Sequence, residues 1–181
     1  ILGATRDDAA GECFDKIARV LGLPYPGGKP MDDLAQGGDP AKYPLPRARI
    51  AGNDLDMSFS GLKTAAVNLI HNAAQKGEAL DLPSLAASVT AAVSDELVPR
   101  AMEAAKRTGR TVLAAAGGVA ANRTIRGDLE RACRENGIRL YLPPLRLCGD
   151  NGAMIGSQAY YEYLAGTRGD SSLNAFANLE I

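Results

Sequence analysis

The sequence predicts an α/β fold in which an open parallel or mixed sheet is flanked by helices, and three observations carry that prediction. TVLAAA, residues 111 to 116, is a short continuously apolar run of the kind that buried parallel strands show. It is followed by Gly117-Gly118 and a helical pattern from about Ala120 to Asn136. IRLYLPP, residues 138 to 144, repeats the strand signal, and a Gly-Asp turn leads into a helix from Gly152 to Leu164. The resulting β-α-β-α order favours strands lying side by side beneath their connecting helices.

The elements before the first strand read as helices. Thr5, with Asp8 three positions on, resembles an N-cap, and Phe14, Ile17 and Leu21 recur at helical spacing, so residues 6 to 21 are expected to be helical until Gly22 stops them. The next stretch, to about Gly52, is rich in Pro and Gly and reads as a long ordered excursion with at most one short helix starting near Pro30. Ser60 is placed to cap a helix carrying Leu62, Ala66, Leu69 and Ala73, which Gly77 closes. A third helix starts near Pro83, with Leu85, Val89, Val93 and Leu97 on one side; Pro99 is expected to kink or split it before Gly109 ends it. The tail after Gly166 looks weakly structured.

Composition narrows the function classes. A length of 181 residues with 46% apolar content supports one substantial core, hence one domain or one lobe of something larger. The first residue is Ile1, and ILG reads like the end of a strand, so a piece of a longer polypeptide is expected. No apolar stretch approaches the roughly 20 residues of a membrane helix and no leader pattern is present, so a soluble cytoplasmic protein is expected. Cys13, Cys133 and Cys148 are odd in number and have no C-x-x-C spacing, which suggests neither a disulfide framework nor a structural zinc site. The formal net charge is −1, yet from Lys106 to Arg146 nine Lys or Arg stand against three acids. That stretch, with Arg123, Arg126, Arg131 and Arg134, is either a nucleic-acid or partner surface or the solvated face of a helix.

Three stretches could carry chemistry. In AAAGGVAANRTIR, residues 114 to 126, Gly117 and Gly118 directly after a buried strand would let a ligand approach the backbone. The following helix would offer free N–H groups and its positive dipole end to an anion, and Asn122 could add an amide. A plain strand-to-helix turn is the alternative, since neither G-x-G-x-x-G nor a P-loop is present. In residues 5 to 33, Asp8, Glu12 and Asp15 fall at i, i+4 and i+7, forming an acidic stripe that either binds hydroxyl groups or is solvated, with Asp15 paired to Arg19. Gly27-Gly28 followed by Asp32 forms another backbone-plus-carboxylate corner. In LCGDNGAMIG, Asp150 is either a helix N-cap or a metal ligand. His71 is the single histidine and stands near a helix end, so the remaining ligands of any metal would lie outside this chain.

Taken together and in this order, TRDDAAGECFDKIARVLGLPYPGG (5 to 28), FSGLKTA (59 to 65), AAGGVAANRTIR (115 to 126) and CGDNGAMIG (148 to 156) resemble the C-terminal part of the threonylcarbamoyltransferases of tRNA threonylcarbamoyladenosine synthesis, once called O-sialoglycoprotein endopeptidases. The resemblance runs from near the start of the chain to Gly156; the tail beyond Gly166 carries none of it. It implies an actin-like, sugar-kinase-like architecture of two ribonuclease-H-like lobes. Residues 1 to 166 would be the second lobe, with a helical insertion over about 25 to 109 and a tail over 167 to 181.

The same resemblance implies transfer of a threonylcarbamoyl group from threonylcarbamoyl-adenylate to the exocyclic amine of the adenosine next to the anticodon in tRNA, with release of AMP. By motif position Asp15, Gly28, Asp32 and Asn122 would hold the adenylate, with Gly117 and Gly118 near its phosphate. Asp150 would be the carboxylate ligand of one iron or zinc ion whose two histidines come from an H-x-x-x-H helix of the first lobe; the metal would act as a Lewis acid. No side chain here stands out as a general base. Implied partners are tRNA, a second actin-like subunit and an accessory ATPase or kinase, and this chain by itself is expected to be inactive. Gly149 departs from the threonine that many members carry. Competing readings are the nucleotide lobe of a kinase on the same architecture, which CGDNGAMIG and DDAAGECFDK do not fit, and a non-catalytic paralogue that pairs with a partner. A peptidase has little support, since no nucleophile stands with its base.

Overall fold

A computed structural model describes residues 1–48 and 50–175. The part of the expected tail that covers 176–181 lies outside the described residues. Among the described residues six α-helices and two short strands follow one another as α1 (Ala10–Val20), α2 (Gly28–Leu34), α3 (Ser60–Lys76), α4 (Leu82–Thr108), β1 (Val112–Ala114), α5 (Arg123–Glu135), β2 (Arg139–Tyr141) and α6 (Gly152–Leu164), with 3-10 turns at Gly118–Ala121 and Leu145–Leu147. The chain divides into two units, Ile1–Cys148 and the residues from Gly149 onward.

The first unit is built around α4. Asp81 caps this helix by accepting the Ser84 N–H at 3.3 Å, and Pro83 sits in the first turn, where no backbone donor is lost. Leu85, Val89 and Val93 are fully buried on it and meet Phe14 and Ile17 of α1, Leu62 of α3, and Ile125 and Leu129 of α5 in one core. Helices α2 and α3 thus belong to the same core as α1 and α5. Pro99 does not split α4, which runs unbroken for 27 residues. The proline removes only the donor that would serve the Asp95 carbonyl, one rung of the ladder.

Two helix starts differ from the sequence expectation. Helix α1 begins at Ala10 rather than at residue 6, because the chain before it is engaged elsewhere. The Arg6 N–H donates to the Met57 carbonyl at 2.8 Å and the Met57 N–H to that of Ala4 at 2.9 Å, making an isolated parallel bridge at Thr5. Ser60 does not cap α3. Its cap position is Phe59, and the Asp7 carboxylate reaches across to accept the N–H groups of Phe59 at 2.8 Å and Ser60 at 3.1 Å. Sequence-distant capping of this kind overrides the local signal.

The excursion between α2 and α3 is ordered by the polar side of α4. Ser84 Oγ accepts the Asp39 N–H at 3.0 Å, Ser88 Oγ that of Tyr43 at 3.3 Å, and Glu96 Oε1 that of Ala48 at 2.8 Å. Pro30 lies in the first turn of α2, as its chemistry requires. The Tyr25–Pro26 peptide is cis.

Strands β1 and β2 pair in parallel with Val112 opposite Arg139 and Ala114 opposite Tyr141. The βαβ order is as expected, and the structure is mixed α/β. The strands are shorter than the apolar runs and are not buried on both sides. Leu113 and Leu140 pack toward the core, whereas Val112 and Tyr141 are each about half exposed, at 51% and 55%. In the second unit α6 is capped by Asn151, whose Oδ1 accepts the Met154 N–H at 3.0 Å, so Asp150 is not the cap. Tyr160 and Tyr161 meet edge to face, and the Arg168 guanidinium lies 3.9 Å from the Tyr163 ring centroid. Among the described residues no helix is long and apolar enough to cross a membrane.

Candidate functional site

A cavity of about 540 Å3 opens in the first unit between the buried face of α1, the start of α2 and the turn that follows β1. It is lined by Gly11, Phe14, Asp15, Pro26, Gly28, Lys29, Asp32, Gly118, Val119, Ala121, Asn122, Arg123 and Leu145. Five residues singled out from the sequence, Asp15, Gly28, Asp32, Gly118 and Asn122, therefore line one cavity although they span 108 positions of the chain; Gly117, the sixth, adjoins the lining without being part of it.

Each is set in place by a different local device. Asp15 lies on α1, and its Oδ1 accepts the Gly27 N–H at 2.7 Å, which fixes the glycine corner against the helix. Gly27 must be glycine here, since a Cβ would lie 2.4 Å from that of Ala18. The acidic stripe expected of Asp8, Glu12 and Asp15 does not form. Asp8 precedes the helix and is held with Glu12 by Lys16, while Asp8 also pairs with Lys63 at 2.7 Å. Asp15 faces the cavity by itself and takes the Gly27 amide rather than Arg19.

Asp32 is 5% exposed on α2 and reaches over to α5. Its Oδ1 accepts the Arg123 backbone N–H at 3.2 Å, and its Oδ2 pairs with the Arg123 Nε at 3.1 Å. Burial pushes this carboxyl upward from its ordinary value, and the Arg123 amide and guanidinium offset only part of that. Asn122 caps α5 with its Oδ1 on the Ile125 N–H at 3.1 Å; among the described residues its Nδ2 has no partner. The expected free N–H groups of the helix start are consequently not all free, because Asp32 and Asn122 take those of Arg123 and Ile125. What stays open to a ligand is the Gly117-Gly118 turn, where Gly117 has φ of 89° and ψ of 170°, reachable only by glycine.

Sequence reasoning missed Lys29, Asp33 and Arg123 at the site. Arg123 Nη2 pairs with Asp33, which also holds Lys29. The signal was adjacency: Arg123 follows Asn122, and Asp33 follows Asp32. Three of the four arginines of the basic stretch are engaged within the fold. Arg123 faces the α2 carboxylates, Arg126 donates to the carbonyls of Ala120 at 2.7 Å and Pro143 at 2.9 Å, and Arg131 holds Asp128 at 2.6 Å. Asp150 belongs to the second unit, where it is exposed. Among the described residues no three His, Cys, Asp or Glu side chains are placed to hold a metal ion together.

An α/β chain whose cavity combines apolar walls with two carboxylates, an amide and a glycine turn has the kind of lining that small-molecule sites have. Comparison with known proteins makes the assignment specific. The chain belongs to the tRNA N6-adenosine threonylcarbamoyltransferase family, whose sequence profile matches residues 1–157. It is 49% identical over 181 residues to the tRNA N6-adenosine threonylcarbamoyltransferase of Moorella thermoacetica, covering all of this chain and 53% of that protein. The proteins of the same name from Latilactobacillus sakei and Staphylococcus saprophyticus are 50% and 44% identical, each again covered over 53% of its length. The chain therefore spans about half the length of the curated relatives it matches.

Proposed function

We propose that this chain is the adenylate-binding part of an enzyme that moves a threonylcarbamoyl group from threonylcarbamoyl-adenylate to the exocyclic amine of the adenosine next to the anticodon in tRNA. The acyl carbon exchanges its bond to the phosphate oxygen for one to the amine nitrogen, AMP leaves, and the amine gives up one proton. The observation that carries the reading is the convergence of Asp15, Asp32 and Asn122, from three separate helix regions, on one cavity beside the Gly117-Gly118 turn. Carboxylates accept from ribose hydroxyls, the Asn122 amide donates to an acceptor on the base or sugar, and the glycine turn admits a phosphate close to the backbone.

The architecture on this reading is the second lobe of an actin-like fold. Asp150, an exposed carboxylate, fits as one oxygen ligand of a single iron or zinc ion, and no more than one, because a lone carboxylate does not hold a transition metal. The two histidines would come from residues outside this chain, and the bound metal would supply Lewis-acid stabilisation of charge on the leaving adenylate. The partners on this reading are tRNA, a second actin-like subunit and an accessory ATPase or kinase, in the cytoplasm. The isolated chain is expected to bind the adenylate but not to transfer the group.

The test is calorimetric titration of adenosine and AMP into this chain, its Asp15→Ala form and its Asn122→Ala form, each checked for folding. Saturable binding weakened by both substitutions supports the reading. A folded chain that binds neither ligand contradicts it, and measurable tRNA modification by the isolated chain contradicts the expectation that it does not transfer the group.

A further inference from the structure

We infer that Arg123 is a binding residue for the base of the nucleoside, offering its planar guanidinium as a stacking platform, and that Asp32 and Asp33 are the positioning residues that fix its plane. This rests on the adenylate reading of the cavity and adds to it a residue outside the sequence motifs' assigned set. Arg123 lines the cavity and is about half exposed, at 51% of its side chain. It is nonetheless anchored at three points, by its backbone N–H on Asp32, its Nε on Asp32 and its Nη2 on Asp33. Both side-chain contacts use one edge of the guanidinium, and two carboxylates on a single helix hold that edge. A flexible side chain is thereby given a fixed plane, the feature that separates an arginine platform from a lysine point charge.

The charge balance argues against the obvious alternative, a grip on phosphate. Asp15 and Asp32 line the wall with Lys29 and Arg123, and Asp33 pairs with both cations. The lining is thus balanced, two carboxylates against two cations, and with Asp33 behind it engaging both cations neither Lys29 nor Arg123 has unpaired charge to grip a phosphate on this side, which suits a neutral base and its ribose. Val119 and Leu145, apolar and lining the same cavity, suit an aromatic ring on the remaining sides.

The experiment is titration of adenosine and AMP into the wild-type chain and into Arg123→Lys, Arg123→Ala and Asp33→Asn forms, with thermal unfolding to confirm that each folds. Loss of a cation–π contact corresponds to about 3- to 30-fold in affinity. Both Arg123 substitutions are expected to weaken adenosine and AMP by the same factor in that range, and Asp33→Asn by a smaller one. Wild-type adenosine affinity in Arg123→Lys overturns the inference, since charge would then suffice without the plane. Loss of AMP binding with adenosine binding retained overturns it in favour of a phosphate grip. In either case the adenylate reading stands; it fails separately if the wild-type chain binds neither ligand.

Discussion

Asp15 and Gly27 are joined by one hydrogen bond of 2.7 Å from the glycine N–H to the carboxylate, and this bond holds the start of α2 against the face of α1 that borders the cavity. The contact leaves no room for a side chain at residue 27: a Cβ there would lie 2.4 Å from the Ala18 Cβ and 3.0 Å from the Asp15 Cα. Gly27→Ala is therefore expected to push α2 away from α1. Overpacking of this kind costs about 1–3 kcal/mol. Urea denaturation is expected to show that loss, and adenosine affinity is expected to fall with it because Gly28, Lys29 and Asp32 move together. Unchanged stability and affinity would show that the corner is not the rigid part of the site.

Asn122 does two things that substitutions can separate. Its Oδ1 caps α5, and its Nδ2 is the amide donor left for a ligand. Asn122→Ala removes both, and loss of a cap costs about 1 kcal/mol. Asn122→Asp keeps an oxygen cap, favoured further by the helix dipole, while abolishing the donor. The expected result is reduced ligand affinity in both forms but reduced stability in the alanine form only. Equal stability loss in both would mean that the cap is not what Asn122 contributes.

Stability is expected to fall with acid. Hydrogen bonds from Lys16 and then Lys63 hold the Asp8 carboxyl down to about 2, against 3.8 in the absence of partners. Lys42, with Ser84, does the same for Asp81, also to about 2. A depressed carboxyl stabilises the fold fully above its unfolded value and loses that contribution as pH falls through the folded one, so the loss falls between about pH 4 and 2. Asp32 works in the opposite sense. Its carboxyl is raised by burial, so ionising it as pH rises past the unfolded value costs stability. Denaturation midpoints between pH 6 and 2 should decline across the lower window in the wild type and less steeply in Asp8→Asn; parallel curves would count against the Lys16 and Lys63 pairing.

The helices and the strand order were legible because their signals are local. Leu85, Val89 and Val93 repeat at helical spacing on α4, and Gly77 and Gly109 close α3 and α4 in left-handed conformations, at φ of 69° and 64°. The helix starts were less legible where a distant group intervenes: Asp7 caps α3 from more than 50 positions away, and no local pattern records that. Asp15, Gly28, Asp32 and Asn122 were singled out by the family resemblance of their motifs; spacing by itself left Asp15 as readily paired to Arg19, whereas it takes the Gly27 N–H. Arg123 and Asp33 were not legible, because their meaning depends on α2 lying beside the start of α5. An exposed arginine beside an asparagine looks the same in a sequence whether it meets water or two carboxylates.

Two further glycines make opposite predictions from the same substitution. Gly127 sits within α5, exposed, at a position where a Cβ would meet nothing within 4 Å. Replacing it with alanine removes unfolded-chain freedom without strain, and about 0.5–1 kcal/mol of added stability is expected. Gly38 is the reverse case. A Cβ there would lie 2.2 Å from the Pro83 carbonyl oxygen and 2.7 Å from the Ser84 nitrogen, both backbone atoms that cannot rotate aside. Gly38→Ala must lift the excursion from α4 and strain the neighbouring bond from the Asp39 N–H to Ser84 Oγ, now 3.0 Å long. Thermal unfolding of the two forms side by side should therefore move in opposite directions, Gly127→Ala upward and Gly38→Ala downward. A rise in both would mean that the excursion adapts freely and does not rest on α4.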